Sequence, residues 1–452
     1  MRRLRHRASA VAVVASAAML LAACGGSSSD SSGSGSASGS SLDIFIAAQP
    51  NFPDAFATWS KDITAAFKAK TGADLTIETF ASGADETTKI QTSIVAGSGP
   101  DVYALGTTFT PVAYATQGFL TLTDDDWKKI GGRERFQPLT LGMSGPDEAN
   151  QIGIPAAMRP FSLVYNTDML TAAGITPPTT WDEFVGDATK LTNSATGVYG
   201  AAVDYSDSFS PWKYIFAMTE QAGGNFVSSD LKTAGLNSEQ TLNATTSYFD
   251  LLTKYHVTDP ASVGWKSGDA IAAFAAGKAA MLPMQTASSI PTLDKSAQKG
   301  KYAFAIMPTV APGMTELPAG GQPAASIVSG DNLAIASYTK NKDLALQFAD
   351  LMTSTDWQLK QYEAFGNLPT NQDAMNQLAA KTPLLAPFLE IESQSTPTAF
   401  TGAWADVQNG VQNVVTQSLP SLASGSYDTS AVQALLDSAN ASAQSALDRA
   451  NR

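Results

Sequence analysis

Cysteine is almost absent: the 452 residues hold only Cys24, so no intramolecular disulfide can form. Histidine is nearly as scarce, with His6 and His256 alone. A His-rich metal site and a Ser-His-Asp triad are both hard to build from so few imidazoles. His256, in KYHVTDP after an apolar helical pattern, reads as a surface or cap residue. No catalytic residue, metal ligand or cofactor is therefore expected. Basic charge is short too. Formal net charge is −13, and the first 23 residues contain four of the arginines, which leaves 24 basic against 41 acidic side chains in the rest. Such a surface repels nucleic acid and excludes it as a partner. Ala276-Gly277-Lys278 lacks the full Gly-x4-Gly-Lys-Ser/Thr spacing of a phosphate loop. No internal repeat is visible, which argues against a repetitive adhesion protein. With 44 % hydrophobic and 15 % charged residues, the chain has a globular composition and the length for two or three ordinary domains.

The N-terminus reads as an address. Met1–Arg7 is basic, and Ala8–Ala23 is an apolar run too short and Ala-rich for a membrane span. It ends in Leu21-Ala22-Ala23-Cys24, which matches the bacterial lipobox, in which small residues precede a cysteine that is acylated after cleavage. Residues 1–23 are thus a lipoprotein signal peptide, and residues 24–41 a Gly/Ser tether with a reach on the order of 20–25 Å. The expected location is the outer face of the cytoplasmic membrane, held there by lipid on Cys24.

In the body, Leu42–Ala47, Asp74–Thr79 and Asp101–Leu105 have strand composition. Between them lie helical patterns carrying Trp59, Ile63 and Phe67, then Ile90 and Ile94. Strand, helix, strand, helix, strand implies right-handed crossovers and a parallel sheet, with ligands beyond the strands' carboxyl ends. That rim holds Gln49, Asn51, Ser82, Thr107 and Thr108. Gly153–Phe184 is the most sharply punctuated stretch. Ile154-Pro155-Ala156-Ala157 reads as a bend, Phe161–Tyr165 as a strand, and Asn166 as the cap of a short helix stopped by Gly174. Thr180 and Glu183 have capping-box spacing.

These residues resemble extracellular solute-binding proteins, family 1, the sugar-type receptors of ABC importers. The Gly-x-Pro bend, the strand ending in Tyr165-Asn166 and Pro177-Pro178-x-Thr180-Trp181-Asp182-Glu183 carry the likeness. So do Gly99-Pro100-Asp101-Val102, Gly118–Leu122 and Phe274-x-x-Gly277-Lys278-Ala279-Ala280-Met281. The likeness runs from about Leu42 to Leu419. It implies an α/β, two-lobed periplasmic-binding-protein-like fold of type II, each lobe a mostly parallel sheet flanked by helices. The ligand cleft would lie at the hinge. The lobes would be 42–154 with 326–366, and 155–325 with 367–452, joined near Pro155, Ala325 and Gly366. The implied function is a non-enzymatic, monomeric receptor that closes over a small molecule, a sugar by first choice, and passes it to importer permease subunits.

In that frame Arg159 follows the bend at the cleft floor, where it either contacts ligand or pairs with an interlobe Asp. Asp204 and Trp212 lie in an aromatic, acidic loop, and Trp212 reads equally as cleft wall or as helix core. Gln285 follows a buried strand, and Asp331 lies in Ser329-Gly330-Asp331-Asn332, just before a strand Leu333–Ala336. Trp404 starts a helix where receptors of the maltose type carry a stacking aromatic, with Gln408 one turn on; it shares a face with Val407, Val411 and Val415, and reads alternatively as core with them. Where such receptors often carry another Trp, this chain has Ala287. Two alternatives share this chemistry: a lipoprotein glycoside hydrolase using a pair such as Asp204 and Asp207, and a receptor for a peptide or polyamine.

Replacing Cys24 by Ala should block processing or release the protein from the cell surface. Fractionation that finds the intact mutant retained at the surface as the parent is would overturn the lipoprotein reading.

Overall fold

A computed structural model describes residues 40–50, 52–80 and 83–451. Cys24, the signal peptide, nearly all of the tether, Asn51 and Ser82 lie outside the described residues. The described residues form one compact unit. Its strands in chain order are β1 Ser41–Ala47, β2 Asp74–Phe80, β3 Val102–Gly106, β4 Gly153–Met158, β5 Ser162–Asn166, β6 Tyr199–Ala201, β7 Ala279–Gln285, β8 Tyr302–Ala305, β9 Ser326–Ile327, β10 Gly330–Ile335 and β11 Ser395–Thr396.

The first sheet has the order β2-β1-β3-β10-β4, and the second β6-β7-β5-β8. Helices Pro53–Thr71 and Gly83–Ala96 cross between the first three strands, which run parallel, with Ile44 opposite both Ile77 and Val102. Alternation along β1 sends Leu42 and Ile44 into a core with Trp59, Phe67 and Phe348, and Phe45 into one with Tyr103 and Phe119 on the other face. In β5, Leu163 faces a core with Phe184, Trp212 and Trp404, and Val164 one with Leu282, Phe304 and Phe388. Each sheet is thus buried on both faces.

Two expectations are corrected. The sheets are mixed rather than mostly parallel: β10 is antiparallel to β3 and β4, and β5 is antiparallel to β7 and β8. A strand that arrives from the other sheet enters at the cleft rim, where β3 ends, and so must run back against it. The pairing of Asp331 with Gly106 fixes that geometry. The second correction concerns Ile154–Ala157, which is strand and not bend. β4 is the edge of its sheet, and Pro155 sits opposite Asn332 at a register irregularity, where a missing N–H costs no ladder bond.

The chain passes between the sheets three times: at 159–161, at 328–329 and at 366–367. The first lies a few residues beyond Pro155, because β4 pairs through Met158 with β10. The second lies beyond Ala325, because Ile327 packs in the core around Leu163. At the third, Leu368 bridges Met158. Local cues act as expected elsewhere. Asn166 caps Met169 at 2.9 Å, Thr180 and Glu183 form a capping box, and His256 closes a helix end on the Leu252 carbonyl at 3.0 Å.

Gly366 adopts φ +71°, and an added Cβ would stand 2.6 Å from the Ser288 Cα, whereas Gly72, at φ +76°, has open space around it. Gly72→Ala should cost about 1 kcal/mol through backbone strain alone, and Gly366→Ala about 2–3 kcal/mol once overpacking is added. Equal urea midpoints for the two variants would show that the third passage tolerates displacement.

Candidate ligand cleft

Two adjoining cavities lie between the sheets, of about 370 and 430 Å³. They share Phe209 and Lys213 and so form two halves of one cleft. The larger part of one wall comes from the carboxyl ends of the first sheet's strands: Gln49 follows β1, and Thr107 and Thr108 follow β3. The opposing wall is the start of helix Pro211–Gln221, with Phe209, Trp212 and Lys213, and Gln408 from helix Trp404–Ala423. Gln285, with Thr286 and Ser288, lines the second half.

Arg159 stands at the floor. Its Nη1 donates to Asp331 Oδ1 at 2.8 Å, Nη2 donates to Oδ2, and Nε donates to Asn367 Oδ1 at 2.9 Å. Its backbone N–H donates to Ser329 O at 2.8 Å. One side chain therefore ties all three passages together. Burial opposes the guanidinium charge, but Asp331 more than offsets this and raises the pKa. Three of the five N–H donors are committed inside the protein, leaving two for the cavity. Both readings of Arg159 are thus compatible with its position, since it pairs with an Asp and also lines the cleft. Thr107 is less free: its hydroxyl donates to Val328 O at 3.0 Å.

The structure separates several residues that the sequence groups together. Trp404 is fully buried and lines neither cavity. Its Nε1 donates to Gln408 Oε1 at 3.1 Å, and its ring packs edge-on against Trp212 and Phe216 at 6.0 and 6.1 Å. It cannot offer a face to a ligand, because its helix turns Trp404, Val407 and Val411 inward as one stripe. Trp404 instead supports Trp212, which is both core and cleft wall. Asp204 is also displaced from the cleft. It is buried beneath the loop, lines neither cavity, and is pushed up to about 7 by burial first and by Asp207 second. Asp207, not Asp204, reaches the cleft. Its Oδ1 accepts the N–H groups of Phe209 and Ser210 at 2.8 and 3.0 Å, and this turn holds the Phe209 ring 45 % exposed.

Cleft residues that the sequence does not single out include Phe209, Lys213 and Glu86. Phe209 is one of the aromatics of the acidic loop between Asp204 and Trp212. The Lys213 ammonium stands 4.3 Å over the Phe161 ring, and burial lowers its pKa to about 8 despite Asp207 and Asp204. Glu86 lies in the first turn of a helix that starts just beyond β2, and this position on the rim was the available signal. Among the described residues no group of acidic, His or Cys side chains is arranged to hold a metal ion.

Comparison with known proteins gives a consistent result. A family model for bacterial extracellular solute-binding proteins matches residues 49–359. The diacetylchitobiose binding protein DasA of Streptomyces coelicolor is 25 % identical over 394 residues, covering 82 % of this chain and 83 % of that protein. An ABC transporter solute binding protein from Thermotoga lettingae, solved with α-D-tagatose, superposes with a TM-score of 0.73 at 23 % identity, covering 90 % of this chain and all of that one. Maltose-bound MalE3 of T. maritima gives 0.72 at 20 % identity, over 88 % and 99 % of the two chains. These likenesses show the two-lobed type II fold.

Removing the Arg159 charge leaves Asp331, about a quarter exposed, without its partner. Arg159→Met should cost about 2–3 kcal/mol, somewhat below the range for a fully buried pair, and Asp331→Leu a similar amount. The double variant should recover most of the loss, because neither charge is then stranded. Strictly additive losses in urea titration would show that the pair is not coupled.

Proposed function

We infer what the cleft binds from a firm premise: the chain belongs to the bacterial extracellular solute-binding proteins. The proposed ligand is an uncharged saccharide, bound between the lobes and handed intact to the permease subunits of an ABC importer. The observation that carries this reading is Phe209. A half-exposed aromatic ring at the junction of the two cavities, ringed by amides, hydroxyls and carboxyls, suits a molecule with a C–H face and many hydroxyls. Its relative DasA is named for diacetylchitobiose, and proteins of the same fold were solved with tagatose, ribitol and maltose.

The proposed lobes are about 42–158 with 330–366, and 162–327 with 367–450, closing about the three passages. The proposal includes a monomeric receptor anchored outside the cell through lipid on Cys24. Among the described residues no helix is long and apolar enough to cross a membrane. No enzymatic turnover is proposed: Asp204 lines neither cavity, and Asp207 already accepts backbone N–H groups through both its oxygens. Two carboxyl groups facing a bound glycosidic bond are thus not provided by this pair.

Calorimetry with diacetylchitobiose, maltotriose, D-tagatose and ribitol tests the reading. At least one should bind and be recovered unaltered. Phe209→Ala should weaken that binding about tenfold, or ~1.4 kcal/mol, without lowering the melting temperature. Trp404→Ala should instead destabilise the fold by about 3–5 kcal/mol. Silence from all four compounds, or hydrolysed product in proportion to protein, would sink the saccharide-receptor reading.

A further inference from the structure

Glu86 is almost completely buried, yet it forms part of the wall of the first cavity. The backbone of Gly106 hydrogen bonds to its carboxyl group, while its Oε1 is sealed from solvent and has no hydrogen-bond partner in the protein. Buried polar atoms are normally paired, and an orphan at a cavity wall needs an explanation. Its neighbours make the placement costlier still. Asp331 of β10 is close enough to repel a second negative charge, and Arg159, the obvious counter-ion, is already held by both Asp331 oxygens.

The remaining charged groups around Glu86 do not relieve it. On its own helix, Lys89 is bound to Glu78 of β2 at 2.7 and 2.8 Å, and Asp85 is a further acid. Lys213 faces the same cavity from the opposing wall, lying over the Phe161 ring. Burial first, and Asp331 second, push the Glu86 carboxyl up to about 8, so at neutral pH it carries a proton. A carboxylic acid has one O–H donor and a remaining acceptor oxygen, whereas a carboxylate accepts only.

We propose that Glu86 is a ligand-contacting residue that selects for an uncharged hydroxyl-bearing molecule, donating one hydrogen bond and accepting another from the same ligand. The inference rests on the saccharide reading above and adds the residue and the protonation state through which that cleft recognises a hydroxyl. It carries a definite sign. The form that donates is lost as pH rises past the free-state value, so affinity is full below it and falls above it.

The test titrates the full chain with the same four saccharides at pH 7 and pH 9. The parent's Kd for its binder should rise about tenfold between these pH values, as expected for one group near 8 that must be protonated. Glu86→Gln keeps a donor and an acceptor without an ionisable proton. It should bind within about threefold of the parent at pH 7, show a flat profile, and bind about tenfold tighter than the parent at pH 9. Glu86→Ala should lose about tenfold at pH 7 with an unchanged melting temperature. If the Gln variant keeps the parent's fall, Lys213, which titrates in the same window, is responsible and the proposal is overturned. If the Ala variant binds as the parent does, Glu86 does not touch ligand. A parent that binds none of the four compounds refutes the saccharide reading first; a parent that binds with unaffected Glu86 variants refutes this inference alone.

Discussion

The bidentate pair between Arg159 and Asp331 is the contact on which the two halves of this molecule depend. Arg159 leaves β4 on the first passage, Asp331 enters β10 from the second, and Asn367, which accepts from Arg159 Nε at 2.9 Å, lies on the third. Three chain segments separated by up to 208 residues in sequence thus meet at one guanidinium. A planar fork with fixed N–H directions can hold a carboxylate and an amide at once, which the single ammonium of a lysine cannot do with the same geometry. The cost of removing these charges from water is offset only while the set stays complete, so the passages are held in register together.

The same carboxylate shapes the ligand site. Asp331 neutralises Arg159 on one side and raises the proton affinity of Glu86 on the other. At the floor of the cleft the Arg159 guanidinium is compensated by Asp331, while the Lys213 ammonium faces the same space from the opposing wall. Packing behind the wall supports this chemistry. Trp404 braces Trp212, and the Asp207 turn projects Phe209 into the space between the sheets.

Much of the fold was legible because it rests on local patterns. The strand composition of β1, the capping box at Thr180 and Glu183, the cap at Asn166 and the stops at glycine are set by residues within a few positions of one another. The rim positions Gln49, Thr107 and Thr108 follow from the rule that ligands sit beyond the ends of parallel strands. Pro155 misled, because its meaning depends on whether its strand is an edge, and only pairing with β10 makes β4 an edge.

The sequence by itself determined the α/β class, the order of the elements, the globular and acidic character of the chain, and the family to which it belongs. Those properties are written in composition, in short-range periodicity and in short motifs. Tertiary structure alone decided which aromatics face the cleft. Trp404 and Phe209 are both large, apolar and near helix starts, yet one is sealed behind Trp212 and the other stands half exposed. It also decided the charge states at the site. Glu86, Asp331 and Arg159 come from distant parts of the chain, and burial and Coulomb interactions depend on distance in space, which no spacing along the sequence specifies.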